Sequence, residues 1–322
     1  MTEPKPGRVL LLVNPHAGDG HAGRAGRLAA HRLRSHGRDV QVLTAADETQ
    51  TVRHVRAAVH EGCAAVVVAG GDGMIALALQ ALAGTTVPLG VIPAGTGNDH
   101  ARAHGLPLDD PEAAADVIAK GHTRAVDLGR IETADGNSRY FGSVMACGFD
   151  SLVSDRANRM RRLRGRARYN VAMLVELFGL RPLTFRIVLD EGTEIDGQLT
   201  LAAIGNTDTY GGGMAICPGA DPADGLLDLT LVKAMPRRTL VRFFPTVFKG
   251  THVRRPEVTT KRTTGLLIES PGVNAYTDGD FAGPLPARVR IHPGALVLFV
   301  PAPAGGPAGS LPHNEPESKE TP

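Results

Sequence analysis

The feature that most constrains this chain is a unit repeated through its first third: a short unbroken apolar run, a loop, then a stretch of helical character. Arg8–Val13 (RVLLLV), Val40–Leu43, Ala64–Ala69 (AAVVVA) and Val87–Ile92 (VPLGVI) are such runs. Strands buried on both faces read this way, without apolar–polar alternation. Between them lie Ala22–His36, stopped at Gly37, a stretch with Val52, Val55 and Val59 at helical spacing that ends at Gly62, and Met74–Ala83. Strand–helix repetition with short connections predicts a parallel sheet with helices on both faces.

Past Asp127 the texture changes. Phe185–Leu189, Leu199–Ile204, Leu229–Val232, Leu266–Ile268, Val289–Ile291 and Leu296–Val300 are short β-type runs separated by Gly, Asp and Pro. They predict an antiparallel β-sandwich. The only long helical candidate in this half is Tyr169–Leu180. At about 150 residues per domain, a chain of 322 residues divides into an α/β domain over 8–129 and a sandwich over 130–301, its last strand free to return to the first domain. Residues 302–322 have the composition of a disordered tail.

Charge and cysteine content narrow the function classes. Thirty-five Lys and Arg against 33 Asp and Glu give a formal net charge of +2, no global nucleic-acid footprint. Cys63, Cys147 and Cys217 stand far apart without a CxxC pair, which argues against a zinc ribbon or disulfide framework and for a reducing cytosol. No apolar stretch nears the ~18–20 residues of a membrane span, and the start MTEPKPGR lacks the apolar core of a signal peptide. The expectation is a soluble, cytoplasmic protein that meets lipid from the surface.

Three loops follow the predicted parallel strands: Asn14–Gly20 (NPHAGDG), Gly70–Gly73 (GGDG) and Pro93–Asp99 (PAGTGND). Open α/β sheets place ligands at that edge. Glycines there let backbone N–H groups wrap phosphate oxygens, and the helix N-terminus behind adds partial positive charge. One such loop is no more than a tight turn; three at one edge, each carrying an acid, favour phosphate. Asp72 facing a triphosphate implies Mg²⁺ between them, with a turn-forming Asp-Gly as the plainer alternative. GDGHAG over Gly18–Gly23 satisfies GxGxxG, but Asn14–Ala17 separate it from the strand and Asp47 falls slightly late for a ribose contact, so the dinucleotide reading is weak. No GxxxxGK[ST] is present, which excludes the P-loop NTPases.

Two further patterns point less sharply. His100 and His104 lie four apart on a predicted helix, but with no third ligand evident they read as surface or cleft-lining residues before zinc ligands. Arg156–Arg168 (RANRMRRLRGRAR) holds seven arginines and no acid, and precedes the apolar YNVAMLVELFGL. Docking on an anionic bilayer and a plain solvated helix are equally compatible with it. Nucleic acid is disfavoured, because four tyrosines and no tryptophan leave little to stack on bases.

Together, NPHAG, VVVAGGDG, LGVIPAGTGNDHAR, AVDLG, ACGFD, CPGADPADGLLD and YTDGD, in this order from Arg8 to Val300, resemble the diacylglycerol kinase catalytic family, bacterial lipid kinases related to sphingosine kinases, and most of all its actinobacterial branch. The resemblance implies an ATP- and Mg²⁺-dependent lipid kinase with an interdomain cleft, peripheral at the membrane, converting diacylglycerol to phosphatidic acid. A sphingoid lipid or NAD as acceptor, or a catalytically weak lipid-binding relative, are the alternatives, and a homodimer stays open. By the resemblance, Asn14, Pro15, His16, Ala17 and Gly18, with Gly70, Gly71, Asp72, Gly73, Met74, Ile75 and Ala76, line the ATP phosphates. Thr44 and Thr96 are further nucleotide contacts, the latter in a loop with Gly95, Asn98 and Asp99.

Tyr276–Asp280 corresponds to the family's DGE, whose acid is the base. Asp278 is kept and Asp280 replaces the glutamate, so either could take the proton; from the residues alone DGD also reads as a hairpin turn. A structural Mg²⁺ maps to the Asp224 side chain and the carbonyls of Asp221 and Leu226, with Asp127 joined to it through water, although DPADGLLD also reads as an ordinary turn. The family's GGDGT-x-NE loses a hydroxyl, an amide and a carboxylate at Met74, Ala76 and Leu77. Activity is still expected, because Asp72, Asn98, Asp99, Asp278 and Gly279 remain.

Overall fold

A computed structural model describes residues 7–14, 21–44, 47–148 and 182–302. The loop residues Pro15, His16, Ala17 and Gly18, the arginine-rich stretch, Tyr169–Leu180 and almost all of the tail lie outside the described residues.

Strands β1 (Val9–Val13), β2 (Val40–Thr44), β3 (Ala65–Gly70) and β4 (Leu89–Pro93) pair in parallel in the order β4-β3-β1-β2. Helices α1 (His21–Ser35), α2 (Glu48–His60), α3 (Asp72–Leu82), α4 (Asp99–Ala103) and α5 (Pro111–Lys120) connect and cover them. The unbroken apolar runs follow from this two-sided cover. Leu10 and Leu12 of β1 join a core with Val55, Met74 and Leu79, while Val9, Leu11 and Val13 join one with Ala29, Leu33 and Ala115. Asp47, the acid weighed above as a ribose contact, caps α2 by accepting from Gln50 N at 2.7 Å, so local helix chemistry accounts for it.

The second half is antiparallel: β5 (Thr123–Thr133), β6 (Ser138–Phe141), β7 (Val144–Gly148), β8 (Leu183–Leu189), β9 (Glu194–Gly205), β10 (Leu227–Lys233), β11 (Val258–Thr263), β12 (Gly265–Glu269), β13 (Asn274–Thr277), β14 (Asp280–Pro284) and β15 (Ala287–Phe299). β9 pairs β8 along its first part and both β7 and β10 along its last. The strands close over a core that includes Phe141, Phe185, Ile187, Leu229, Ile268 and Val289. The last strand does return. β15 runs antiparallel to β5 and β12 and meets β4 in parallel at Leu298↔Leu89, so hydrogen bonding runs without a break from one half to the other.

Two features differ from the sequence reading. Val289–Ile291 and Leu296–Val300 are expected as separate strands, but they belong to one strand whose register shifts between His292 and Leu296. Pro293 and Gly294 make this irregularity, and Gly294, at φ 61°, turns its N–H onto Asp127 Oδ1 at 2.7 Å. The second is α6 (Arg237–Phe248), a twelve-residue helix that contains Pro245. Proline inside a β-branched, aromatic run masks helical periodicity; Leu240, Phe243 and Val247 nevertheless bury one stripe.

Candidate active site

Parallel register brings the loop ends to one rim. Val13 pairs with both Thr44 and Ala69, and Gly70 with Pro93, so Asn14, exposed Thr44, Gly70–Gly73 and Ala94–Asn98 stand at the same sheet edge. Two of these loops touch through backbone alone. A Cβ on Gly71 would lie 3.0 Å from Gly95 Cα, and one on Gly95 would collide with Gly71 Cα. Asn98 adopts φ 53° and staples its loop: its Oδ1 accepts from Gly95 N at 2.9 Å and its Nδ2 donates to Gly95 O at 3.1 Å. Thr96 is left exposed beside a cleft of about 570 Å³ that also meets His21, Arg24 and Asp109.

Met74 and Ile75 bury their side chains in the α2–α3 core, and Ala76 is fully buried as well. The hydroxyl and amide lost at Met74 and Ala76 are thus replaced by packing, whereas Leu77 is only partly buried; what this loop presents at the rim is the backbone of Gly71–Gly73. Asp72 Oδ1 accepts from His100 N at 3.1 Å, and its Oδ2 sits close over Gly97.

Asp99 reaches across to the second half. Its carboxylate accepts from Gly212 N at 2.7 Å and Gly213 N at 2.8 Å, and Arg102 lies 3.2 Å away. Burial pushes this carboxyl's pKa up, against the pull of the two N–H groups. The partner is a turn of three glycines, all at positive φ, in Tyr210–Met214 (YGGGM); sequence reasoning passed over it, although three successive glycines signal an unusual backbone path.

Asp278 and Gly279 form a two-residue turn between β13 and β14, with φ 51° and 87°, as the hairpin reading of DGD requires. Asp278 is not presented to solvent. Its side chain is 1% exposed, and it accepts from Gly142 N at 3.0 Å, Ser143 N at 2.8 Å and Ser143 Oγ at 2.5 Å. His100 Nε2 stands 3.7 Å from Asp278 Oδ1, an ion-pair distance beyond hydrogen bonding. Burial is the largest influence on both groups and opposes charge. It is outweighed by the sum of their mutual attraction, the Asp72 and Asp99 charges near His100, and the Ser143 and Gly142 donors to Asp278: the histidine pKa is raised and the carboxyl pKa lowered. This pair joins the hairpin to the helix that follows PAGTGND.

Asp280 is different. Its side chain is 40% exposed, with Arg139 at 3.5 Å. Burial raises its pKa, Arg139 pulls it back down, and Glu48 and Asp278 add to the rise. Glu48 opens α2, so Asp280 faces the first half. Phe281 beside it is exposed and meets Tyr276 edge-on at 5.7 Å.

The DPADGLLD loop is held to Asp127, and buried Asn206 links Asp127 O to Gly142 O, beside the Gly142 N–H that binds Asp278. Asp224 Oδ1 accepts from Leu226 N at 3.0 Å while its Oδ2 contacts Arg262, which also reaches Asp228 at 3.3 Å. Asp221 Oδ1 pairs with Arg124 at 2.9 Å. Asp127 accepts from Gly225 N and Gly294 N, both at 2.7 Å. In this arrangement guanidinium and N–H groups meet most of the loop's carboxylate oxygens, while Asp228 Oδ2 is buried with no hydrogen-bond partner among the described residues. Among the described residues no group of three or more His, Cys, Asp or Glu side chains could hold a metal ion; His100, weighed above as half of a zinc pair, faces Asp278 instead.

Residues 8–131 match the family model for the diacylglycerol kinase catalytic domain, and residues 142–300 that for the YegS C-terminal NAD kinase beta sandwich-like domain. A diacylglycerol kinase of Mycobacterium tuberculosis (strain ATCC 25618 / H37Rv) is 53% identical over 92% of this chain and 96% of its own length. One from Bacillus subtilis (strain 168) is 29% identical over 69% of this chain and 73% of its own. The fold is similar to the crystal structure of a diacylglycerol kinase from Bacillus anthracis str. Sterne, with a TM-score of 0.70 at 21% identity over 94% of this chain and 99% of that one. With glycine loops at one rim, an acidic hairpin joined to them through His100, and this identity over nearly its whole length, the chain belongs to the diacylglycerol kinase family and is an enzyme of that kind.

Proposed function

We propose that the protein transfers the γ-phosphoryl group of ATP to a hydroxyl of an amphipathic lipid, with diacylglycerol as acceptor and phosphatidic acid as product. The observation that supports this reading is the chain of contacts from Asp72 through His100 to Asp278, two residues before Asp280 on the same hairpin; in this reading Asp280 faces the rim formed by the backbone N–H groups of Gly71–Gly73, Thr96 and Gly97. Those amides suit a triphosphate. Asp72 Oδ2, close over Gly97, is the rim carboxylate oxygen that would hold a magnesium ion carried with ATP. The ion would neutralise charge on the phosphates.

Asp280, rather than Asp278, fits the role of base. The acceptor oxygen loses its proton to the Asp280 carboxylate and bonds to the γ-phosphorus, while the bond to the β,γ-bridging oxygen breaks and ADP leaves. A carboxylate with a raised pKa holds that proton better than an ordinary one. Asp278, with both oxygens engaged by Gly142 and Ser143, positions the hairpin. Exposed Phe281 supplies apolar surface next to the base, suited to an acyl chain, and the names of the bacterial relatives agree with diacylglycerol. The arginine-rich stretch over 156–168 would add affinity for anionic membrane surfaces, tested by replacing Arg161, Arg162 and Arg164 with Ala.

Radiolabelled ATP offered with diacylglycerol, a sphingoid base and NAD, each with and without Mg²⁺, tests the proposal. Label is expected in phosphatidic acid and only with Mg²⁺. Label in NADP alone, or in no lipid, would overturn it.

A further inference from the structure

We propose that the outer face of α6 is a docking surface for an anionic lipid bilayer. Its inner stripe, Leu240, Phe243 and Val247, packs against Leu201, Ile216 and Val232. The outward positions are Arg237, Arg238, Val241, Arg242, Pro245, Phe248 and Lys249, all exposed. At about 100° per residue these seven fall within roughly 140° of arc, so they form one continuous face: Val241, Pro245 and Phe248 along its middle, Arg237 at one margin, Arg238, Arg242 and Lys249 toward the other.

Both chemistries on this face are unusual for a solvated helix. Val241 is 54% and Phe248 56% exposed, and they are two of only four large hydrophobic side chains so exposed among the described residues. The four cations make no ion pair among the described residues. From Lys233 to Pro256 the sequence has seven Lys and Arg and no Asp or Glu. An apolar strip flanked by basic residues is the pattern of a helix lying in a membrane interface: the strip enters the acyl boundary and the cations meet anionic headgroups. A protein partner would satisfy the strip, but four cations unpaired among the described residues, on a segment without Asp or Glu, favour a surface of uniform negative charge.

The face also sits in a useful place. Tyr210 and Met214 pack against the core beneath α6, and between them run Gly211–Gly213, whose N–H groups at Gly212 and Gly213 bind Asp99. A docked α6 is therefore one layer of packing from the cleft. The inference rests on the lipid-kinase reading for its purpose, but its binding chemistry stands without it.

Co-sedimentation of the full chain with vesicles of phosphatidylglycerol and phosphatidylcholine, and of phosphatidylcholine alone, tests the proposal. The variant Arg238→Ala/Arg242→Ala/Lys249→Ala removes three cations, each contributing roughly fivefold to partitioning, so binding to the anionic vesicles is expected to fall on the order of a hundredfold. The variant Val241→Ser/Phe248→Ser should weaken binding to both vesicle types. Both variants should turn over short-chain diacylglycerol in neutral detergent micelles within about twofold of the unmodified protein. The proposal is overturned if the unmodified protein ignores anionic vesicles, or if both variants bind them normally, as they would if α6 served an acidic protein or if Arg161, Arg162 and Arg164 alone carried docking. Should the kinase reading itself fail, micellar turnover is absent from every protein, while the dependence of vesicle binding on α6 stays measurable.

Discussion

In the proposed reading, the first-sheet wall of the cleft meets the nucleotide with main-chain N–H groups of Gly71–Gly73, Thr96 and Gly97, while Asp72 Oδ1 and the Asp99 carboxylate are tied to backbone amides. The sandwich wall would act through one side chain, Asp280, carried on a hairpin whose other acid is buried. The first wall tolerates changes of side chain provided its glycines stay, which is how Met74 and Ala76 can be core residues here. The second depends on one carboxylate held at the right place and the right pKa. Binding and chemistry should therefore separate by mutation, and the sharpest test is to alter each wall in turn.

The largest effect is expected at Asp280. Asp280→Asn removes the proton acceptor and should lower kcat by about 10²–10⁴ with nucleotide affinity unchanged, read from steady-state turnover beside ATP titration; Asp280→Glu should restore much of the rate. Turnover within a few-fold of normal in Asp280→Asn would erase the distinction between the walls. The raised pKa of Asp280 also places the acid limb of the rate profile above the ordinary 3.8, and that limb should be missing from the Asn variant.

Asp278→Ala leaves Gly142 and Ser143 donors and the His100 cation without a partner in a buried place. Destabilisation of about 3–5 kcal/mol is expected for breaking such a pair, measured by denaturant unfolding. Near-normal stability would mean the hairpin is held by something else. On the opposite wall, Gly95→Ala drives a methyl into Gly71, a strain of about 1–3 kcal/mol. It should raise Kd for ATP more than it lowers kcat at saturation, the reverse of Asp280→Asn.

The smallest effect concerns pH. His100 is raised from 6.5, so its contribution to stability is complete below that value and is lost as pH rises through its folded pKa. Asp278 is lowered from 3.8, so its contribution is present above that value and lost as pH falls through its folded pKa. The pair therefore contributes most between about pH 4 and 6.5. The Tm difference between the unmodified protein and His100→Gln should be widest in that window and narrow above it; a gap that widens toward pH 9 would contradict the pairing.

Much of this was legible from residues. Parallel strands covered on both faces announce themselves as unbroken apolar runs, and glycine loops at strand ends need no tertiary information to be placed on one edge. What could not be read was pairing across long separations. Nothing local says that Asp278 will accept from Gly142 and Ser143, that Asp99 will hold the Gly212–Gly213 turn, or that Arg262 will neutralise Asp224. α6 was obscured because Pro245 and a run of phenylalanines hide a 3.6-residue period. The two acids of YTDGD were indistinguishable as letters; the structure buries one and leaves the other partly exposed.

The most direct test of the account is a crystal structure of the protein with a magnesium complex of a non-hydrolysable ATP analogue. The triphosphate should lie along Gly71–Gly73 and Gly95–Gly97, with its γ-phosphate directed at the space before Asp280. A triphosphate bound elsewhere, or turned so that its terminal phosphate points away from Asp280, would contradict it.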